Sequence, residues 1–127
     1  MCGIIGVASN RPVVDKLLVG LSRQEYRGYD SAGLAVFDEG SEDIRVYKRL
    51  GKVLELQNAL SDNPINGTTG IAHTRWATHG VPAEKNAHPH HSNYEVFVVH
   101  NGIIENHQEI KTTLRALGYH FESDTDS

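Results

Sequence analysis

Three short stretches carry residue types from which reactive sites are built: Cys2-Gly3 at the start, His73-Thr74-Arg75-Trp76-Ala77-Thr78-His79-Gly80, and His100-Asn101-Gly102. Cys2 is the only cysteine and directly follows Met1. If Met1 is removed, Cys2 bears a free α-amine beside its thiol. A thiol titrates near about 8.5 and an α-amine near about 7.7–8.0. At neutral pH the amine is then partly neutral and can accept the thiol proton, directly or through a water. That is the N-terminal-nucleophile form of a paired nucleophile and base. If Met1 stays, Cys2 is a small apolar residue at a strand edge.

Asn101-Gly102 offers an amide N–H and a backbone N–H that can point at one developing oxyanion, with glycine allowing close approach. The same dipeptide is also a common turn signal. Arg75 can hold a carboxylate through two parallel hydrogen bonds, or be a surface arginine. Trp76 can cover a small ligand or belong to the core, and Gly80 can act as a hinge. His88, His90 and His91 lie close together with His79 nearby. Such a group can bind zinc. It has no His-Glu-x-x-His spacing and no second cysteine, so no metal and no cofactor are expected.

Short elements must position these residues. Ile4, Ile5 and Val7 predict a first strand. Pro12 suits the first turn of a helix, and Val13, Val14, Leu17, Leu18 and Leu21 recur at helical spacing to about Glu25. The glycines of YRGYDSAG predict a turn. Leu34, Val36 and Phe37 predict a second strand, and Ile44, Val46 and Tyr47 alternate as a third. Val53, Leu54, Leu56 and Leu60 predict a second helix. TGIAHTRW reads as a strand, Ala77 to Asn93 as a long loop of the kind that often binds or covers a ligand, and Tyr94 to His100 as a strong strand. Asn106 with Glu109 predicts a capped third helix, with Ile110, Leu114 and Leu117 as its buried face and Gly118 as its stop. Phe121 can begin another strand. All three reactive stretches fall at the ends of predicted strands, where many α/β sheets bind ligands.

The chain has 127 residues, 39% of them hydrophobic and 22% charged, the size and composition of one folded domain. A net charge of −4 argues against nucleic-acid and anionic-membrane partners. No apolar run approaches the roughly 18 residues of a membrane span, and the start lacks a signal-peptide pattern. These features, with a lone cysteine, predict a cytoplasmic protein.

Taken together, MCGIIGV, EYRGYDSAG, HTRWATHG, NAHPH and VVHNGIIENH resemble the class II glutamine amidotransferases. The likeness is to the glutaminase domain of the glucosamine-6-phosphate synthase family, also called the glutamine–fructose-6-phosphate aminotransferases. It spans residues 1–127. The resemblance implies an α+β N-terminal-nucleophile hydrolase fold, αββα layers with antiparallel sheets. It implies loss of Met1 and attack of Cys2 on the side-chain amide of glutamine. The Cys2 amine would serve as base and then acid, and Asn101 and Gly102 would hold the oxyanion. Substrate would be bound by Arg75 at the α-carboxylate, Asp126 at the α-ammonium, and a closing loop with Trp76, Thr78 and His79. Arg27 would support the site from behind. Ammonia would pass to fructose 6-phosphate in a longer, homodimeric enzyme, whose sugar-isomerase domains lie outside this sequence. The glutaminase domain itself is expected to continue past Ser127, so the chain reads as its truncated amino-terminal part. The alternatives are a class II enzyme with another acceptor, and a non-catalytic glutamine-binding module.

Overall fold

The computed structural model describes residues 2–40, 42–76 and 82–127, with the side chain of residue 27 also left out. The order is β1 (Gly3–Ala8), α1 (Val14–Arg23), a one-turn 3-10 helix (Glu25–Arg27), β2 (Ser31–Asp38), β3 (Asp43–Leu50), α2 (Val53–Asp62) and β4 (Thr69–Arg75). A second 3-10 turn (Glu84–Asn86), β5 (His90–Ser92), β6 (Val96–Val98) and α3 (His107–Ala116) complete it.

β1 to β4 form one antiparallel sheet in the order β1-β4-β2-β3, and β5 and β6 form a second, two-stranded one. The α+β expectation with antiparallel sheets is met. Alternation along β4 divides its side chains. Ala72 joins the hydrophobic core beneath the helices, whereas the ring of His73 stacks on His88 in the segment leading to β5. α1 contributes Leu17, Leu18 and Leu21 to that core, and α2 contributes Val53, Leu56 and Leu60. Both sets follow the three-to-four residue repeat of a one-sided helix. Leu34 and Val36 of β2 meet them from the sheet.

The backbone N–H of Val53 opens α2 and donates to the Tyr29 hydroxyl at 2.7 Å, and that hydroxyl donates to Glu25 Oε1 at 2.7 Å. This pair ties α2 to the Arg-Gly turn. Burial and the neighbouring Glu25 push Tyr29 up to about 12.

Five local expectations are corrected. Ser31-Ala32-Gly33, read as turn, begins β2, because its backbone pairs with β3 on one side and β4 on the other. The stretch read as loop up to Asn93 contains β5, while Tyr94 lies in a turn before a shorter β6. Asn93 and Tyr94 both have positive φ, and Glu95 N–H closes the turn on Ser92 O at 3.1 Å. Asn106 precedes α3 but makes no side-chain cap. α3 buries none of its residues: Ile110, Leu114 and Leu117 line a 730 Å³ cavity that also touches β5 and β6. Its end is as expected. Gly118 (φ 95°) and Tyr119 donate back to Arg115 and Leu114, a Schellman close. Residues 121–123 form no strand. No helix among the described residues is long and apolar enough to cross a membrane.

Candidate active site

Two of the reactive stretches, at Cys2 and at Thr74 to Trp76, converge because β1 and β4 run antiparallel. The start of one strand therefore lies beside the end of the other, with Gly3 opposite Thr74. Gly3 N–H donates to Thr74 Oγ1 at 3.1 Å, fixing the register one residue from the cysteine. Antiparallel pairing, not the gathered ends of one open sheet, joins the first two stretches, and Asn101-Gly102 follows β6 of the second sheet.

Cys2 is partly exposed. The backbone N–H of Trp76 donates to its Sγ at 3.2 Å, and the thiol in turn faces Trp76 O at 3.7 Å. The sulfur is therefore held against the exit of β4. The Trp76 ring is 53% exposed and lies against Gly28, where an added Cβ would meet it at 3.4 Å. Gly28 adopts φ 77°, a conformation for which glycine is suited. The Arg27-Gly28 turn thus sits under the tryptophan. Arg27 closes the first 3-10 turn, and its side chain lies outside the described residues. Thr78 and His79 lie outside them as well.

Asn101 arrives from beyond β6. Its Nδ2 donates to the Cys2 carbonyl at 3.1 Å, and its Oδ1 accepts from His73 Nε2 at 2.6 Å. Gly102 follows with φ 152°, and a Cβ there would press on His100 Nε2 at 3.0 Å. Asn101 and Gly102 are both exposed, open to a ligand beside Cys2.

Arg75 ends β4 and is 4% exposed. Its guanidinium faces Asp30 at 3.8 Å, and its carbonyl accepts the Asp30 N–H at 2.7 Å. It is a buried, braced cation, not a surface arginine. Asp126 is partly buried and accepts the Ile104 N–H at 2.6 Å, which joins the carboxy-terminal segment to the Asn101 loop. Ser127 Oγ meets His100 Nδ1 at 3.0 Å and reinforces that join.

Two features were missed in the sequence. One is the backbone N–H of Trp76, which meets the Cys2 sulfur although only the side chain was singled out. The other is a column of buried histidines. His73 stacks on His88 with centroids 4.0 Å apart, and His88 lies 4.2 Å from His90. Burial, reinforced by neighbouring cationic groups, pushes His73 down to about 4, His88 to about 2 and His90 to about 3, so all three are neutral near pH 7. Among the described residues no three His, Cys, Asp or Glu side chains converge as metal ligands would. The available signal for His73 was its two-residue spacing from Arg75 in a strand, which puts both on one face.

Comparisons with known proteins bear on the family and the fold. A family model described as a glutamine amidotransferase domain matches residues 56–127. The chain is 57% identical over its whole length to a Shewanella oneidensis protein named glutamine–fructose-6-phosphate aminotransferase (isomerizing). It is 59% identical to the protein of that name from Pseudomonas syringae pv. tomato. It spans 20% and 21% of those relatives, about a fifth of their length. Among solved structures it resembles a glutamine phosphoribosylpyrophosphate amidotransferase from B. subtilis, with TM-score 0.72 and 27% identity over 99% of this chain and 28% of that one. An allosteric regulatory enzyme of purine biosynthesis shares the fold, with TM-score 0.74 and 23% identity over 97% of this chain and 27% of that one. The N-terminal-nucleophile hydrolase fold expected from the resemblance is therefore the fold found, and the chain belongs to the glutamine amidotransferase domain family.

Proposed function

We propose that this chain hydrolyses glutamine to glutamate and ammonia through a thioester on Cys2. The carrying observation is the convergence at the β1–β4 junction: the Cys2 sulfur against Trp76 N–H, with the Asn101 amide one hydrogen bond from the Cys2 carbonyl. With Met1 removed, the Cys2 amine takes the thiol proton and the sulfur attacks the glutamine Cδ. An amide NH₂ carries two donors. Asn101 can therefore keep its bond to the Cys2 carbonyl and still donate to the oxyanion, joined by Gly102 N–H. The amine then protonates departing ammonia, and water cleaves the thioester. Arg75 pairs with the substrate α-carboxylate and Asp126 with the α-ammonium, while Trp76, Thr78 and His79 close over it and Arg27 supports the turn beneath. Closure of that kind excludes water and commits the substrate.

Ammonia is used, on this reading, to convert fructose 6-phosphate to glucosamine 6-phosphate by further domains of a cytoplasmic homodimer. Identity of 57–59% to relatives named for that reaction, against 27% to the phosphoribosylpyrophosphate enzyme, supports the sugar-phosphate acceptor. The test is kinetic, in the full-length protein. Cys2→Ala should abolish glutamine hydrolysis while sugar-phosphate binding persists. Asn101→Ala should lower kcat by about 10²–10³ with little change in KM, because its donor matters most in the transition state. A rise in KM alone would remove Asn101 from the oxyanion site.

A further inference from the structure

We propose that His73 is a positioning residue for glutamine hydrolysis, holding the Asn101 side chain in the one orientation that turns its amide N–H groups toward Cys2. The proposal rests on the oxyanion role given to Asn101 above.

An asparagine amide presents an oxygen on one side and an NH₂ on the other, and a half-turn about its last bond exchanges them. The exchange would aim a lone pair at the Cys2 carbonyl and at any nearby oxyanion, turning attraction into repulsion. Asn101 is exposed, so packing alone does not select between the two. His73 does. Its Nε2 lies 2.6 Å from Asn101 Oδ1, while its Nδ1 is buried with no hydrogen-bond partner among the described residues. An amide oxygen only accepts, so the ring nitrogen 2.6 Å from it is the protonated one, and the unpartnered Nδ1 of a neutral imidazole is left without a proton. Nε2–H therefore donates to Oδ1, and Nδ2 is left facing Cys2 O at 3.1 Å.

The imidazole is itself held firmly. His73 is 1% exposed, lies on the inner strand β4, and is stacked on His88 at an interplanar angle of 20°. The same His88 accepts the backbone N–H of His100 through Nδ1 at 3.3 Å, so neighbouring rings hold both the backbone before Asn101 and its side chain. Burial keeps His73 uncharged well below neutral pH, so this donor persists wherever the enzyme works.

The test compares glutamine hydrolysis by the full-length protein and its His73→Phe, His73→Gln, Asn101→Ala and His73→Phe/Asn101→Ala variants. His73→Phe should lower kcat by about 10-fold to 10²-fold, as a misplacement of about 1 Å at a catalytic donor does, with KM changed by less than about twofold. His73→Gln, whose amide N–H reaches the same place, should recover most of the rate. In the Asn101→Ala background His73→Phe should cost nothing further, because the group it orients is gone. Undiminished kcat in His73→Phe, an equal loss in both backgrounds, or a change in KM alone would overturn the proposal. So would loss of hydrogen-exchange protection across β4 in both His73→Phe and His73→Gln, since the role would then be structural. If Asn101→Ala itself keeps wild-type kcat, the oxyanion reading fails. If Asn101→Ala is slow and His73→Phe is not, only the positioning role fails.

Discussion

Gly33 is the third residue of β2, and its hydrogen does what no side chain could. A Cβ there would lie 1.9 Å from the His88 carbonyl oxygen and 3.1 Å from that of Tyr47. Both obstacles are backbone, so neither can swing away. To restore ordinary contact the His88 carbonyl must retreat by roughly 1.5 Å. Overpacking of this kind costs about 1–3 kcal/mol, and a backbone obstacle on either side of the site places Gly33→Ala near about 3 kcal/mol. Hydrogen exchange read by mass spectrometry in the full-length protein should show protection of the β2 and β5 amides reduced by about 10²-fold. Because the His88 ring stacks on His73 and His73 holds Asn101, kcat for glutamine hydrolysis should fall by about 10-fold or more. Gly6→Ala is the control: its Cβ meets nothing within 4 Å, and protection and rate should match wild type. Wild-type protection and kcat in Gly33→Ala would show that the histidine segment is not seated on β2 and that the column does not reach the site as described.

Arg75→Ala should raise the glutamine KM and also destabilise the domain by about 2–3 kcal/mol, because it strips a buried cation from beside Asp30; a KM effect with unchanged hydrogen exchange would leave only the substrate role. Stability should depend on acid in a defined window. His73, His88 and His90 are depressed to about 4, 2 and 3 when folded, against about 6.5 unfolded. The unfolded chain therefore takes up their protons first as pH falls. Their contribution is complete above about pH 6.5 and is lost progressively below it, on the order of 1.4 kcal/mol per pH unit for each histidine. Urea midpoints that stay level from pH 7 to pH 4.5 would contradict the buried, neutral column.

What was legible in the sequence was whatever repeats locally. Val13, Leu17 and Leu21 mark α1, Val53, Leu56 and Leu60 mark α2, and Gly118 marks the end of α3. The β2 start was hidden because Ser31-Ala32-Gly33 is turn-like in composition, and only pairing with both β3 and β4 makes it strand. β5 was hidden for a similar reason, since His90-His91-Ser92 pairs with β6 despite its loop-like surroundings. The apolar stripe of Ile110, Leu114 and Leu117 was read correctly as a face and wrongly as buried, because periodicity reports which residues share a face and not what lies against it. At the site, Cys2, Arg75, Trp76 and Asn101 announced themselves by type and motif. The bond between His73 and Asn101 did not, because it joins residues 28 positions apart through the register of a sheet and the path of a loop. The brace from Asp126 to Ile104 N–H is of the same kind.

The central claim is that Cys2, freed of Met1, is the nucleophile that attacks glutamine. Intact mass of the full-length protein before and after 6-diazo-5-oxo-norleucine, with the adduct located by peptide mapping, tests it most directly. The account predicts a chain that begins at Cys2 and gains one adduct on that residue. A chain that retains Met1, or an adduct placed elsewhere or absent, would contradict it.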